Sequence, residues 1–323
     1  MKEINIQDID GFLLGHSEDI KAGTGCTVLL SKEGGSAGVS VKGGAPGTRE
    51  TDLLEPTEMI EKVHAIVLAG GSAFGLDASS GVMEYLEECN VGFDVGVGKV
   101  PIVCSAVLFD LLCGDSKVRP NKEMGYKAAK NAESYKKNIN GNIGCGTGAT
   151  IGKMLGPEYA MKGGFGSYAV EIGDLKVGAI VGVNCVGDVI NPENGQIIGG
   201  AFNKEEKKFY NTQKFLFENY DKSIKAFKGN TTIGVVMSNA KFTKAENKRI
   251  ASVSHNAFAR TIKPAHTMFD GDTIFSISSG LIEADINLVA ELSTYAMEKA
   301  VVNAINNAET AYGYISKKEL SDN

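Results

Sequence analysis

Glycine accounts for 40 of the 323 residues, and it is bunched rather than spread. A chain of this kind folds through tight turns and close backbone contacts. Glycine tolerates left-handed dihedrals and adds no Cβ where two segments meet. Gly34-Gly35-Ser36-Ala37-Gly38 separates two stretches, 26–31 and 38–42, that alternate apolar and polar residues, so the spacing predicts a β-hairpin. Gly70-Gly71 follows the apolar run 65–69 and precedes helical spacing over 73–89. Residues 91–98 read as a glycine-studded turn, and a third dense bunch spans 141–152.

Elsewhere strands and helices alternate. Residues 101–113 are apolar and predict a buried helix, and 123–137 an amphipathic one. Two strands, 167–172 and 177–184, turn at Gly173-Asp174. Further strands are predicted at 231–237 and 273–278. Thr243-x-x-Glu246 is a capping box that opens a helix to about residue 262, and 285–307 is a long amphipathic helix. Residues 204–228 differ in kind: seven lysines, four acids and interspersed aromatics mark a solvated connector, part helical. The pattern implies α/β layers around a mixed sheet, with residues 1–323 as one domain.

Composition removes several classes. A net charge of −6 leaves no basic surface for nucleic acid. The longest apolar runs, 65–76 and 177–187, fall short of the roughly 20 residues that span a bilayer. Lys2, Glu3, Asp8, Asp10, Glu18 and Asp19 do not fit a secretory leader, so the expected location is cytoplasmic. The six cysteines form no Cys-x-x-Cys pair and the four histidines are scattered, so free thiols and no metal site are expected.

Several motifs carry two readings. Gly34-x-Ser36-x-Gly38 matches the nucleophile-elbow pattern in letters, but it lies between strands, where a turn is the better account. Gly70-Gly71-Ser72 could hold an anion at a helix start, or simply pack a helix closely on a sheet. The run 144–153 resembles a phosphate loop but has Thr147 and Met154 where that loop needs Gly and Ser or Thr. Gly146 and Gly148 could offer backbone N–H groups to an oxyanion, or make a plain turn. Asp270-Gly271-Asp272 puts two carboxylates two residues apart, which suits a shared proton or an oriented nucleophile, and equally a solvated loop. Asn230-Thr231 is an ordinary loop-to-strand junction unless the chain is cut there. Thr231 would then carry a hydroxyl and an α-amine of pKa near 8, a nucleophile with its own base.

Taken in order, these segments resemble the L-aminopeptidase/D-esterase, or β-aminopeptidase, family, whose members include the nylon-oligomer endo-hydrolase. The resemblance runs from Gly23-Thr24-Gly25-Cys26 through residues 68–76, Val100-Pro101-Ile102-Val103, Met124-Gly125-Tyr126, 146–150, Lys162-Gly163-Gly164 and Val183-Asn184 to Asn230-Thr231-Thr232 and the segment 266–272. Cys104-Ser105 departs from the proline common in relatives.

The resemblance implies a four-layer α/β/β/α sandwich with mixed sheets, similar in layers to N-terminal nucleophile hydrolases. It implies self-cleavage between Asn230 and Thr231 into 1–230 and 231–323, which stay associated, with 204–229 as an exposed connector. Thr231 would be the nucleophile, supported by Asp270 and Asp272. Asn184 would lie by the scissile carbonyl, Tyr126 would be the active-site tyrosine, and Lys162 would match a lysine of the nylon-oligomer enzyme. No cofactor is implied. Substrates would be small peptides or amides, with β-amino acid, D-residue or aminohexanoate-type acyl groups, and the assembly a homotetramer. An acyltransferase of the ornithine acetyltransferase type and a non-enzymatic small-molecule binder are the competing readings.

Overall fold

The computed structural model describes residues 1–134, 140–220 and 229–321. In chain order the main elements are strands β1 (Leu13–Asp19), β2 (Thr24–Val41) and β3 (Val63–Ala69), helix α1 (Ala78–Glu88), strand β4 (Val103–Val107) and helix α2 (Lys122–Ala132). Strands β5 (Gly164–Ile172), β6 (Leu175–Asn184) and β7 (Thr231–Ala240) follow. Helix α3 (Lys244–Thr261), strand β8 (Thr273–Ile282) and helix α4 (Ile286–Asn306) complete the set.

The strands form two face-to-face sheets. One runs β5–β6–β7–β8–β2 and the other β1–β2–β3–β4. Leu29, Leu68, Cys104, Ile180, Ile233 and Phe275 fill the space between them. Helices α3 and α4 cover the first sheet, where Phe258, Met297 and Val301 meet Val181, Val183 and Val236. Helices α1 and α2 cover the second, where Val82, Leu86 and Ala128 meet Val28, Leu30 and Val67. Strand periodicity explains the sorting: Val177, Ala179, Val181 and Val183 face the helices, and the alternate residue Ile180 faces the other sheet.

Strand β2 belongs to both sheets, which corrects the predicted hairpin. Its first half pairs β1 and β3, and its second half pairs β8. The glycines at 34–35 bend one strand instead of reversing it: Gly34 has φ +75° and the register shifts between Leu30 and Gly35. The predicted helix at 101–113 is also corrected. Residues 103–107 form β4, parallel to β3 and buried on both faces. A continuous apolar run has no periodicity to separate a two-sided buried strand from a buried helix.

Helix α2 ends at Ala132, and the last residues of its expected extent, 135–137, lie outside the described residues. The connector is a two-stranded ribbon, Phe202–Asn203 with Lys208–Phe209, and a short helix, Thr212–Glu218; its remainder, 221–228, lies outside the described residues. Among the described residues no helix is long and apolar enough to cross a membrane.

The unit that positions the site is β7–α3–β8. Parallel neighbours need a crossover, and α3 supplies it. Its start is fixed by the capping box: Thr243 N–H donates to Glu246 Oε2 at 2.8 Å, and Glu246 N–H to Thr243 Oγ1 at 3.3 Å. The crossover brings the first residues of β7 and β8 to the same end of the sheet, with Ile233 opposite Thr273. The layers press closely. A Cβ on Gly166 of β5 would lie 1.9 Å from the Ala300 carbonyl oxygen on α4. Gly166→Ala is therefore expected to destabilise the protein by about 1–3 kcal/mol through overpacking, measured as a shift in urea midpoint. An unchanged midpoint contradicts this packing.

Candidate active site

Thr231 is the first residue of β7, directly opposite Asn184, the last residue of β6. Just before it, Asn230 pairs in parallel with Asp270. Both the 230–232 and the 270–272 segments are buried, so their polar groups need partners. The Asn230 carbonyl oxygen accepts the Gly271 N–H at 3.0 Å and, more closely, the Thr231 hydroxyl. A nucleophile thus rests on the carbonyl that precedes it, with a backbone donor on the same oxygen.

The two carboxylates have different partners. Asp272 Oδ1 accepts the Thr232 N–H at 2.7 Å; its Oδ2 accepts the His266 N–H at 3.0 Å and lies 2.8 Å from His266 Nδ1. Asp270 Oδ2 accepts the Thr267 N–H at 2.8 Å and the Thr267 hydroxyl at 2.7 Å. Asp270 Oδ1, although buried, has no hydrogen-bond partner among the described residues. Burial, and next the Asp272 charge, push the Asp270 carboxyl up to about 6. Asp272 is the clamp on the strand start, through the Thr232 N–H.

On the other side stands Lys153, a residue missed in the sequence. It is buried, and burial lowers its ammonium to about 8. Its Nζ donates to Asn184 Oδ1 at 2.9 Å, the Asn184 carbonyl at 3.0 Å and the Gly229 carbonyl at 3.1 Å. With the Thr150 N–H also on Asn184 Oδ1 at 2.9 Å, the Asn184 amide is oriented so that Nδ2 reaches the Phe109 carbonyl at 2.9 Å and the Gly229 carbonyl at 3.4 Å. A hollow of about 210 Å³ opens beside Thr231, lined by Ser72, Ala73, Phe109, Asn230, Thr231 and Phe269 among others.

The model of peptidase family S58 matches residues 5–318. This chain belongs to that family. It is 37% identical to an uncharacterised aminopeptidase of Mycobacterium leprae, over 96% of this chain and 92% of that protein. It is 29% identical to a 6-aminohexanoate-oligomer endohydrolase of a Kocuria species, over 85% of this chain and 75% of that protein. Its fold matches the L-aminopeptidase D-Ala-esterase/amidase of Ochrobactrum anthropi, a variant of the Ntn-hydrolase fold (TM-score 0.70, 19% identity, 95% of this chain and 87% of that one). The β-aminopeptidase of a Burkholderia species gives TM-score 0.70 at 18% identity, over 98% and 92%.

In this S58 peptidase, Thr231, Asn230, Asn184, Asp270 and Asp272 come together, and other expected residues do not. Lys162 does not reach Thr231: its three donors bind the carbonyls of Gly146 (3.0 Å), Ala149 (2.9 Å) and Gly163 (3.0 Å). It ties down the loop that presents Thr150 to Asn184, and Lys153 holds the place at the site. The Gly146 N–H is engaged by the Ile143 carbonyl at 2.9 Å. Gly148 packs on Gly23, where a Cβ would lie 1.9 Å from the carbonyl oxygen. The Gly146 N–H is thus used within the loop, and Gly148 is held there by close packing. Tyr126 lies on α2, donates to Glu88 Oε2 at 2.7 Å, and lines a surface groove with Glu84 and Lys122 that shares no residue with the hollow at Thr231.

The Gly70-Gly71 turn does receive an anion, but an internal one. Asp110 Oδ1 accepts the Gly71 N–H at 2.7 Å, and Oδ2 the Thr24 hydroxyl at 2.7 Å. Of the missed residues, Lys153 lies in the phosphate-loop lookalike, and His266 and Thr267 lie within the quoted segment 266–272.

A carboxyl whose pKa rises on folding contributes fully below its unfolded value of about 4 and loses that contribution as pH rises through about 6. In a Thr231→Ala background, Asp270→Asn is therefore expected to gain stability relative to its parent between pH 4 and 7. Urea midpoints at the two pH values check this; a constant difference contradicts it.

Proposed function

We propose that this chain is a self-processing amidohydrolase with Thr231 as nucleophile. The observation that carries the reading is the Thr231 hydroxyl resting on the Asn230 carbonyl, whose oxygen the Gly271 N–H also holds. In the precursor, Thr231 Oγ attacks the Asn230 carbonyl carbon, and the negative charge that develops on its oxygen falls on the Gly271 N–H. One such donor is worth roughly 3–4 kcal/mol in comparable sites. The open Oδ1 of Asp270 takes the hydroxyl proton. The C–N bond then breaks, the nitrogen is protonated to the Thr231 amine, and the acyl group rests on Oγ as an ester. Water cleaves the ester and leaves an Asn230 carboxylate.

In the mature form the Thr231 amine takes the hydroxyl proton, and Oγ attacks an amide carbonyl of the substrate. The amine released carries the proton away, and water frees the acyl group. Asp272 keeps the start of β7 in register through the Thr232 N–H. The substrates are small peptides or amides, as the names of the related aminopeptidases and of the aminohexanoate-oligomer hydrolase suggest. A narrow hollow flanked by Phe109 and Phe269 fits short chains.

The test is a panel of β-amino acid amides, D-alanine amide, dipeptides and aminohexanoate oligomers, offered to wild type and to Thr231→Ala. Hydrolysis by the wild type, falling at least 10³-fold in the variant, is expected for loss of a nucleophile that acts as a unit with its base. Equal activity in the variant, or none in a wild type shown to be cut, contradicts the reading.

A further inference from the structure

We infer that His266 is a positioning residue for Thr231: it aims the Asp272 carboxylate at the start of β7, and through that carboxylate it sets the nucleophile. The inference rests on the hydrolase reading above and extends its machinery by a residue that acts only through another. The main chain of Asp272 is fixed just past the end of β2, where its carbonyl accepts the Lys42 N–H at 2.9 Å and the Gly43 N–H at 3.2 Å. The carboxylate could still rotate about its side-chain bonds. His266 opposes that rotation, because Oδ2 meets the His266 N–H at 3.0 Å and the ring Nδ1 at 2.8 Å. Both carboxylate oxygens accept a backbone N–H, one from Thr232 and one from His266, so the carboxylate is the acceptor and Nδ1 carries the proton. With Oδ2 held twice, Oδ1 stays on the Thr232 N–H, which belongs to the peptide bond that follows Thr231.

The surroundings show that this contact is built into the fold. His266 has φ +58°, a left-handed backbone uncommon outside glycine, and in that conformation its N–H and its ring reach the same oxygen. The ring sits edge-on to His255 of α3, with centroids 4.8 Å apart, and beside Phe258. His255 is itself fixed: its Nε2 lies 2.9 Å from the Ser40 carbonyl, which can only accept, so Nε2 carries the proton. The crossover helix thus seats the ring that holds Asp272. Thr267 repeats the grip one residue on, with its N–H and its hydroxyl both on Oδ2 of Asp270. Consecutive residues each place a backbone donor and a side-chain donor on one carboxylate oxygen.

The experiment compares wild type with His266→Gly and His266→Asn. Glycine accepts the left-handed backbone and keeps the N–H, but it removes the ring. Asparagine also tolerates that backbone, and its side-chain nitrogen lies as many bonds from Cα as Nδ1 does. Self-cleavage of freshly made protein, followed by intact mass, is expected to slow by roughly tenfold or more in His266→Gly, as misplacement of a reacting group does. Most of the rate is expected to return in His266→Asn. An undiminished rate in His266→Gly, or an equal loss in both variants, overturns the inference. A second reading needs no cut. In Thr231→Ala protein, hydrogen exchange at the Thr232 N–H should quicken on adding His266→Gly and not on adding His266→Asn, while the Val235 and Val236 amides deeper in β7 stay as they were. General loss of stability would instead quicken all three alike, and that result also overturns the inference. If the wild type itself stays whole, the hydrolase reading fails by itself, and exchange at Thr232 still decides whether His266 sets the start of the strand.

Discussion

The parallel pairing of β7 with β8 is the constraint on which the site depends. A parallel pair has evenly spaced, slanted hydrogen bonds and both strands begin at the same end. Residues 230–232 therefore run beside 270–272, and Gly271 can donate to the Asn230 carbonyl while Asp272 accepts from Thr232. Had the two strands been joined as a hairpin, the same six residues would sit at opposite ends of the pair. The α3 crossover, capped at Thr243, is what makes the juxtaposition possible.

Around that pairing the protein buries charge, which is unfavourable unless hydrogen bonds replace water. Lys153 and Lys162 each satisfy three acceptors, and in doing so fix two different things. Lys162 braces the glycine-dense loop; Lys153 links Asn184 to the segment before the strand. Burial, and next the Asp272 charge, raise the Asp270 carboxyl, and its Oδ1 has no hydrogen-bond partner among the described residues. A well-matched carboxylate would have all its acceptor sites filled. One that does not is suited to receiving a proton.

Much of this was legible in the sequence, and the gaps have physical causes. The capping box, the strands at 231–237 and 273–278 and the long C-terminal helix follow from local patterns. The layered fold and the meeting of Thr231, Asn184, Asp270 and Asp272 follow from the family resemblance, because side chains brought together from two strand ends and the loop before a third strand leave no spacing signal. The run that contains β4 reads as a helix in sequence because both faces of the strand are buried. Strand β2 reads as a hairpin in sequence because two glycines can bend a strand as readily as reverse it. Lys153 and Lys162 look alike in sequence, each beside glycine in an apolar stretch. Only the fold shows which of them turns toward Asn184, and only the fold sets Tyr126 on an outer helix.

The central claim is that the geometry at Asn230 is poised for an internal acyl shift. Its most direct test is to follow the intact mass of freshly made protein over time, with the new N-terminus sequenced, beside Thr231→Ala. The account predicts one cut in the wild type, giving 1–230 and 231–323 with threonine first in the second fragment, and an intact variant. An uncut wild type, a cut at another bond, or equal cutting in the variant would contradict it.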